Sequence, residues 1–392
     1  MSNETKPNRS VRFARATATR PIRVVMVYLE PTPYIMALID TLRRVWDGAI
    51  EVYYVSTDVS QPWKLRLDRA QGEVLPGGFL PRMRALLLAL IRDRKQTVLH
   101  LAGWGHPVLF GAMLMAGSLR VPVVVESDTA AGRSDQSWRH WVKELLYPLL
   151  FRLPSRFLPG GTRQARYLAH FGVTPERMTV AQMTVDVCAI RRFCAQDREI
   201  MRSAARTRWG MSANERIVLF VGRLEAHKGL EELLSAFACA VDEEDDLRLA
   251  IVGDGSLRPR IEAAAANADG RIIYLGRLSS DDVLHAYLAA DLLVLPSLFE
   301  PWGLVVNEAM ACGLPVIVSD RVGCGDDLVR HGETGLVVRA DREAELTSAI
   351  LQLARDAPAR HEMRQAAETL ISNWTLADEA RNIISAWDAI AQ

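Results

Sequence analysis

Residues 216–229 read RIVLFVGRLEAHKG, and this stretch decides the fold of the second half of the chain. Five apolar residues precede Gly222, which is typical of a strand that is buried on both faces of a parallel sheet. The following segment, GLEELLSAF at 229–237, has the apolar spacing of a helix. The stretch therefore predicts a strand, a glycine-containing loop and a helix.

The same alternation of short apolar strands and amphipathic helices extends outward in both directions. The strand-like segments are 22–29, 50–55, 97–103 and 121–127 in the first half, and 216–222, 247–255, 271–276, 291–297, 314–319 and 335–338 in the second. This rhythm predicts an α/β protein with two Rossmann-like, doubly wound parallel sheets. Their ligand crevices are expected to face each other across a cleft, as in an enzyme with two substrates.

A length of 392 residues agrees with two domains, because a single core rarely grows beyond about 300 residues. The predicted parts are a basic disordered tail at 1–20, an N-terminal domain at 21–187, a linker at 188–212, a C-terminal domain at 213–372, and a final helix at 373–392 that could pack back on the N-terminal domain.

The net charge of zero conceals a strong segregation of charge. Residues 1–200 carry 28 basic and 17 acidic side chains, whereas residues 201–392 carry 19 and 30. Such asymmetry indicates that the first half meets an anionic surface or ligand. We expect no nucleic-acid partner.

Two basic amphipathic segments, 80–95 and 138–156, suit an anionic membrane surface. The alternative is that both cover the sheet with their apolar faces and show their arginines to water. The sequence has no apolar run long enough to span a bilayer, and the first 20 residues lack the apolar run of a signal peptide, so we expect no secretion. We expect a cytoplasmic protein, with peripheral attachment to the cytoplasmic face of the membrane left open.

The cysteines are scattered and show no CxxC spacing, which favours reduced thiols in small core positions over disulfides or a zinc site. They are Cys188, Cys194, Cys239, Cys312 and Cys324.

The loop after the strand at 216–222 has the composition of an anion site. Gly222 lets the backbone approach a ligand, and Arg223 and Lys228 bring two cations to the start of a helix, where the dipole and free N–H groups attract anions. This arrangement suits a diphosphate. The alternative is an ordinary turn with solvated charges.

A second cluster follows at 296–308, PSLFEPWGLVVNE. Glu300 precedes a helix that is expected to start near Gly303, and Glu308 lies about one and a half turns inside it. The amide groups of Gly303, Leu304 and Val305 would be free for phosphate oxygens. The alternative is a pair of surface glutamates.

Taken together, these motifs resemble one known family. VGRL-x3-KG, then GDG at 253–255, LGRL at 275–278 and E-x7-E at 300–308, followed by EAMACGLPVIVSD and GETGLVV, look like the donor half of family 4 of the retaining, nucleotide-sugar-dependent glycosyltransferases (glycosyl transferases group 1), which have the GT-B fold. The resemblance covers about 175 residues in the correct order. It implies that residues 21–187 form the acceptor-side domain and residues 213–372 the nucleotide-sugar donor domain.

The resemblance implies a role for each matching residue. Arg223 and Lys228 would hold the diphosphate, Glu300 would contact the donor sugar, Glu308 would bind the ribose, and Arg277 would lie by the nucleobase. Fixed cations and amides stabilise the charge that develops on a leaving diphosphate. No cofactor or metal is expected beyond the donor.

The chain departs from the family on the acceptor side. The first loop, YLEPTPY at 28–34, lacks the glycine pair of many members, and Ser127 stands where many have histidine. Asp128 is retained, so it is a further catalytic candidate, and we group it with Tyr34 and His106 as acceptor-side candidates.

The resemblance implies a retaining transfer from a nucleoside diphosphate sugar to a hydroxyl of a saccharide, a lipid-linked glycan or a small molecule, as in polysaccharide or glycoconjugate biosynthesis. It favours front-face substitution, since no carboxylate nucleophile is established beside the anomeric carbon. The alternatives are a non-catalytic sugar-nucleotide or membrane-binding scaffold and a GT-B nucleotide-sugar epimerase.

Overall fold

The computed structural model describes residues 22–57, 72–130 and 138–391. The predicted basic tail at 1–20 lies outside these residues. Internal contacts divide the chain into two compact units, which are residues 1–125 with 387–392 (unit 1) and residues 126–386 (unit 2).

The first sheet has six strands in the order β3-β2-β1-β4-β5-β6. The strands are β1 (Arg23–Tyr28), β2 (Ile50–Tyr54), β3 (Glu73–Val74), β4 (Thr97–Leu101), β5 (Val123–Ser127) and β6 (Arg156–Pro159). The pairs from β3 to β5 are parallel. Every residue of β1 and β4 is buried, as expected for the central strands of a sheet that helices cover on both faces.

The second sheet also has six strands, in the order β12-β11-β10-β7-β8-β9, and all its pairs are parallel. The strands are β7 (Arg216–Val221), β8 (Leu247–Val252), β9 (Ile272–Gly276), β10 (Leu292–Leu295), β11 (Val316–Ser319) and β12 (Gly335–Val338). The predicted α/β fold with two doubly wound parallel sheets is confirmed. Two short edge strands, β3 and β6, were not predicted because neither carries an apolar run long enough to stand out.

The helices fall into three groups along the chain. The first sheet is accompanied by α1 (Pro33–Val45), α2 (Phe79–Ile91), α3 (Pro107–Ser118), α4 (Trp138–Leu150) and α5 (Thr162–His170); α6 (Val187–Ala195) and α7 (Arg198–Arg208) follow; the remainder are α8 (Leu230–Val241), α9 (Arg258–Asn267), α10 (Ser280–Ala289), α11 (Leu304–Ala311), α12 (Gly325–Leu328), α13 (Glu343–Arg355), α14 (Ala357–Ile371) and α15 (Leu376–Ala391). Among these described helices, none has both the length and the apolar character needed to cross a bilayer.

The end of α15 belongs to unit 1 and completes its core. Trp387 is fully buried, and its indole N–H donates to Nδ1 of His100 at 3.0 Å. The same indole meets Trp46 edge-on, with ring centroids 5.3 Å apart. The end of α15 therefore fills a space in a unit whose strands lie between residues 23 and 125.

Helix α7 is fixed to the second sheet by one buried arginine. The Arg206 guanidinium donates to the carbonyls of Ala289 and Glu215 and to Oδ2 of Asp291, each at 2.9 Å. Asp291 also accepts from Arg202 and from the backbone N–H of Ile217. Burial lowers the pKa of Arg206, and the carboxylate of Asp291 counteracts that effect.

The cysteines are free thiols, and three of them occupy core positions as predicted. The prediction was wrong for Cys188 and Cys239, which are exposed. Both lie on amphipathic helices at positions that face away from the core. The small size of cysteine, on which the prediction rested, does not tell which face of a helix a residue occupies.

We predict that Arg206→Met lowers the free energy of unfolding of unit 2 by about 3–5 kcal/mol, because it leaves the Asp291 carboxylate and several buried carbonyls without their donor. Urea unfolding monitored by circular dichroism measures the change. Arg208→Ala on the same helix is the matched control, since its ion pair with Asp282 is exposed and should contribute little. Equal midpoints for the two variants would contradict this account.

Candidate functional site

The predicted ligand-binding residues of unit 2 follow the carboxyl ends of parallel strands, which meet at one edge of the second sheet. Neighbouring loops are joined there by backbone hydrogen bonds. The N–H of Gly222 donates to Val252 at 3.1 Å, and the N–H of Gly253 donates to Gly276 at 2.8 Å. The loops after β7, β8 and β9 therefore form one continuous rim.

The GDG motif allows this close approach. Gly253 has φ +144°, and a Cβ there would collide with the carbonyl oxygen of Gly222. Gly255 has φ +158° and would place a Cβ within 3 Å of the Leu224 backbone. The N–H of Leu224 in turn donates to Asp254 at 2.9 Å. The motif thus shapes the loop that carries Arg223.

A carboxylate strengthens the same loop. Glu225 accepts hydrogen bonds from the backbone N–H of Ser256 at 3.1 Å and from its hydroxyl at 2.6 Å. These bonds to Ser256 hold the pKa of Glu225 below its usual value. The carboxylate therefore stays ionised and stabilises the loop between β7 and α8.

Lys228 and Glu300 form an ion pair, although 72 positions separate them in the sequence. The two side chains are only 12% and 11% exposed. Burying either charge alone would be costly, so the pair fixes the loop before α8 against the loop before α11. The structure therefore brings these two predicted catalytic residues together.

Backbone contacts secure the same two loops. The carbonyl of His227 accepts from the N–H groups of Leu298 and Phe299. Gly229 has φ +71°, and a Cβ there would collide with the carbonyl of Pro296. Partial burial, together with nearby Lys228 and Arg223, lowers the pKa of His227, so its imidazole is neutral at neutral pH.

The loop that carries Glu300 is held from a second side. The N–H of Gly323 donates to the Glu300 carbonyl at 2.9 Å, and the amide of Gln164 on α5 donates to the Pro301 carbonyl at 2.5 Å. Trp302 lies directly beneath Gly161, where a Cβ would collide with its ring. Helix α5 therefore supports the loop before α11.

Helix α11 begins as the sequence predicted. Gly303 is its N-cap residue with φ +100°, and Leu304 is its first residue. The first N–H groups of a helix have no intrahelical acceptors, so those of Leu304 and Val305 can meet an anion at this end.

Glu308 lies on α11, and Oε2 of its carboxylate accepts a hydrogen bond from the phenol of Tyr287 at 2.7 Å. Burial raises the pKa of Glu308, and the Tyr287 hydrogen bond acts in the opposite direction.

The two remaining predicted cations are exposed and follow neighbouring parts of the rim. Arg223 follows β7 directly after Gly222, and Arg277 follows β9 directly after Gly276. Their side chains are accessible to a ligand at the carboxyl edge of the sheet.

The acceptor-side candidates are placed as follows. In unit 1, Tyr34 is the second residue of α1, and Nδ1 of His106 accepts from the N–H of Val108 at 3.2 Å as the N-cap of α3. In unit 2, Asp128 follows β5 and keeps access to solvent, while desolvation by nearby protein and the Glu126 carboxylate raise its pKa. His106 therefore has a structural role whether or not it binds a ligand.

Sequence reasoning missed three contributors to this site. Tyr287, Gln164 and the Glu225–Ser256 bridge support predicted residues without belonging to a recognisable motif. Tyr287 offered one signal, since a buried tyrosine hydroxyl requires a hydrogen-bond partner.

Residues 201–370 match the family model described as glycosyl transferases group 1. A D-inositol 3-phosphate glycosyltransferase of Rhodococcus opacus is 36% identical over 267 residues, which cover 66% of this chain and 56% of that protein. The alpha-D-kanosaminyltransferase of Streptomyces kanamyceticus is 33% identical over 181 residues, 46% of each chain. The matches span about a third to just over half the length of the curated relatives.

Solved structures share the fold over almost the whole chain. Anabaena Alr3699/HepE in complex with UDP superposes with a TM-score of 0.75 at 17% identity, covering 94% of this chain and all of that one. The structure of the same protein in complex with UDP-glucose gives 0.72 at 18% identity, covering 93% and 99%. The chain therefore has the fold of GT-B glycosyltransferase structures.

We predict that Gly253→Ala destabilises unit 2 by about 2–4 kcal/mol, because the new Cβ would force the rim loops apart. The change can be measured by urea unfolding. Gly117→Ala is the matched control, since its Cβ would meet open space on α3 and a helical alanine is about 0.5–1 kcal/mol more favourable than glycine. A Gly253→Ala variant as stable as the parent chain would show that the loops can separate freely.

Proposed function

We propose that this protein is a glycosyltransferase that moves a sugar from a nucleoside diphosphate donor to a hydroxyl acceptor. The observation that carries the proposal is the Lys228–Glu300 pair beside the N-terminus of α11. This arrangement puts a cation, a carboxylate and free helix amides in one place, and the match to glycosyl transferases group 1 covers all three.

The diphosphate is the part of the ligand that this site suits best. Lys228, Arg223 and the amides at the start of α11 all favour negative charge. When the bond between the sugar and phosphate breaks, charge accumulates on the leaving diphosphate, so groups that are already oriented towards it lower the barrier. These cations would do the electrostatic work for which other enzymes use a metal ion.

When the donor binds, we expect Lys228 and Glu300 to exchange their ion pair for contacts with the ligand. Lys228 would turn from Glu300 to a phosphate oxygen, and the released Glu300 carboxylate would accept hydrogen bonds from sugar hydroxyls. Glu308 would bind the ribose hydroxyls and Arg277 would lie near the base. Each charged group then keeps a partner in both states, which avoids the cost of an isolated buried charge.

The transfer itself is proposed to retain the anomeric configuration. The acceptor oxygen forms a bond to the anomeric carbon on the face from which the diphosphate leaves, and the hydroxyl proton passes to a phosphate oxygen. The products are a glycoside and a nucleoside diphosphate. A sugar covalently attached to Asp128 or Glu300, detected by mass spectrometry, would instead support a double displacement.

The nature of the donor and acceptor is proposed from chemistry shared with related proteins. HepE is described in complex with UDP and UDP-glucose, which supports a uridine nucleotide as the first donor to test. The relatives named D-inositol 3-phosphate glycosyltransferase and alpha-D-kanosaminyltransferase support a polyol or saccharide hydroxyl as the acceptor.

We predict that UDP raises the melting temperature of the purified protein, because a ligand bound only to the folded state stabilises it. Lys228→Ala and Glu300→Ala should each lower sugar transfer at least about 100-fold, since each removes a group that acts on the reacting centre. Release of UDP from a panel of UDP-sugars and candidate acceptors provides the assay.

Arg355→Ala is the control for these variants. Arg355 lies at the end of α13, away from the candidate site, and forms surface ion pairs with Glu243 and Glu244. Near-normal transfer by both site variants would refute the site. Nucleotide binding without any transfer or donor hydrolysis would favour the non-catalytic scaffold.

A membrane surface is proposed as a further partner, and helix α4 supports it. Trp141, Leu145 and Leu149 recur every four residues and are 73%, 72% and 57% exposed, with Leu146 beside them. The alternative that this helix covers the sheet with its apolar face is wrong for these side chains. Arg152 follows the helix in the next turn, is exposed and would complement anionic headgroups.

Helix α2 in unit 1 has both buried and exposed apolar side chains. Leu86 and Leu90 are buried against the domain, as the alternative required, whereas Leu80, Leu88 and Ile91 are exposed. We therefore expect α4 to contribute more to lipid binding.

We predict that the protein sediments with vesicles containing phosphatidylglycerol at low salt and is released at high salt, because anionic lipids attract its basic residues. Leu145→Glu combined with Leu149→Glu should weaken this binding more than tenfold. Ile200→Glu is the matched control, since Ile200 is equally exposed but lies on α7. Absence of binding to anionic vesicles would remove the membrane partner.

A further inference from the structure

Tyr287 is a buried residue that none of the sequence motifs contains. It lies in the last turn of α10, and its side chain is fully buried. Its hydroxyl is the one polar atom on the ring, and it donates to Oε2 of Glu308 at 2.7 Å. A phenylalanine could fill the same space, so packing alone does not explain the hydroxyl.

The protonation states of the two groups are complementary. Burial and the neighbouring Glu308 carboxylate raise the pKa of Tyr287 well above its usual value, so the phenol remains a donor at any working pH. Burial also raises the pKa of Glu308, which by itself would favour the neutral acid. The hydrogen bond from Tyr287 opposes this and favours the carboxylate.

The bond also has a geometric effect. It occupies Oε2 and restricts rotation of the carboxyl group, which leaves Oε1 for a ligand. Glu308 remains partly accessible to solvent, so a ligand can reach it. An ionised carboxylate accepts hydrogen bonds from hydroxyl groups, whereas a protonated one offers fewer acceptor sites.

We propose that Tyr287 is a positioning residue whose hydrogen bond to Oε2 orients the Glu308 carboxylate to bind the vicinal hydroxyls of a ribose. This inference rests on the proposed function, in which Glu308 contacts the nucleotide ribose. Tyr287 touches neither the ligand nor the reacting atoms; it acts through the carboxylate.

Other titratable groups lie near Tyr287 and Glu308, and a pH experiment must distinguish their titration from that of Glu308. The Cys312 thiol belongs to the C-cap residue of α11, one turn beyond Glu308, and contacts the Cys194 thiol of α6, with Sγ atoms 3.1 Å apart. The charged residues near these thiols are Arg198 on α7 and Arg364 and Glu368 on α14. Burial raises the pKa of Cys312 well above its usual value, so this thiol does not titrate in the acid range where Glu308 does.

Tyr287→Phe tests the proposal, with UDP and 2′,3′-dideoxy-UDP as probes in calorimetric titrations. The wild-type protein should bind UDP more tightly than the dideoxy nucleotide, which lacks the hydroxyls that Glu308 would recognise. Tyr287→Phe should weaken UDP binding about 10–150-fold, the range expected for one hydrogen bond to a charged group, and leave dideoxy-UDP binding nearly unchanged. Glu308→Gln should lose the same discrimination.

The pH profile gives a readout that a purely structural role would not change. Binding through the Glu308 carboxylate is present above its pKa and lost as the pH falls through it. Removing the phenol should raise that pKa further, so the loss of UDP binding in Tyr287→Phe should begin at higher pH than in the wild type.

Two more variants keep the proposal falsifiable. Tyr287→His retains a neutral N–H donor and should recover part of the discrimination between UDP and dideoxy-UDP. This variant also tests the proposal if Tyr287→Phe folds poorly. Tyr54→Phe, a fully buried tyrosine of unit 1, is the matched control and should bind UDP as the wild type does.

The outcomes separate the two hypotheses. A wild-type protein that binds no nucleotide overturns the proposed function, and the inference falls with it. A wild-type protein that distinguishes UDP from dideoxy-UDP, together with a folded Tyr287→Phe variant that has the same discrimination and pH profile, overturns the role of Tyr287 alone.

Discussion

The close approach of backbone between neighbouring loops is the constraint on which the site in unit 2 depends. All six strands of the second sheet run parallel, so their carboxyl ends open at one edge and the loops that follow must share limited space. Backbone hydrogen bonds join these loops, from Gly222 to Val252 and from Gly253 to Gly276. Buried peptide groups must find partners, and these bonds satisfy them where a side chain at Gly253 would keep the loops apart.

The ion pair between Lys228 and Glu300 adds an electrostatic constraint to this backbone framework. Without a ligand, the pair neutralises two charges that would otherwise be poorly solvated. An incoming anion must therefore offer more than the carboxylate does. A diphosphate does so, because it brings several oxygens that can also reach the helix amides of α11 and the exposed Arg223. A single carboxylate or chloride cannot use all of these groups at once.

The strands and the motif residues of the site could be predicted from the sequence, whereas most of the contacts that support those residues could not. Ten of the twelve strands were predicted because buried parallel strands are continuous apolar runs, and the start of α11 followed from Gly303. The contact of Lys228 with Glu300 was not predicted as a pair, since sequence spacing does not report distance across a sheet. Gln164 and Tyr287 were missed for a related reason. They act on backbone or on another side chain, and neither partner is near them in sequence.

The segregation of charge between the two halves of the sequence has a partly structural explanation. Arg163 and Arg166 of α5 pair with Asp326, and Asp327 accepts from the N–H and hydroxyl of Thr162 at the start of the same helix. All these residues belong to unit 2, so basic side chains from the first half of the sequence are neutralised by acidic ones from the second. The excess of arginines therefore overstates the charge that is available to an outside partner. A membrane contacts only exposed residues. The exposed apolar side chains of α4 therefore support lipid binding more strongly than the number of basic residues in the sequence does.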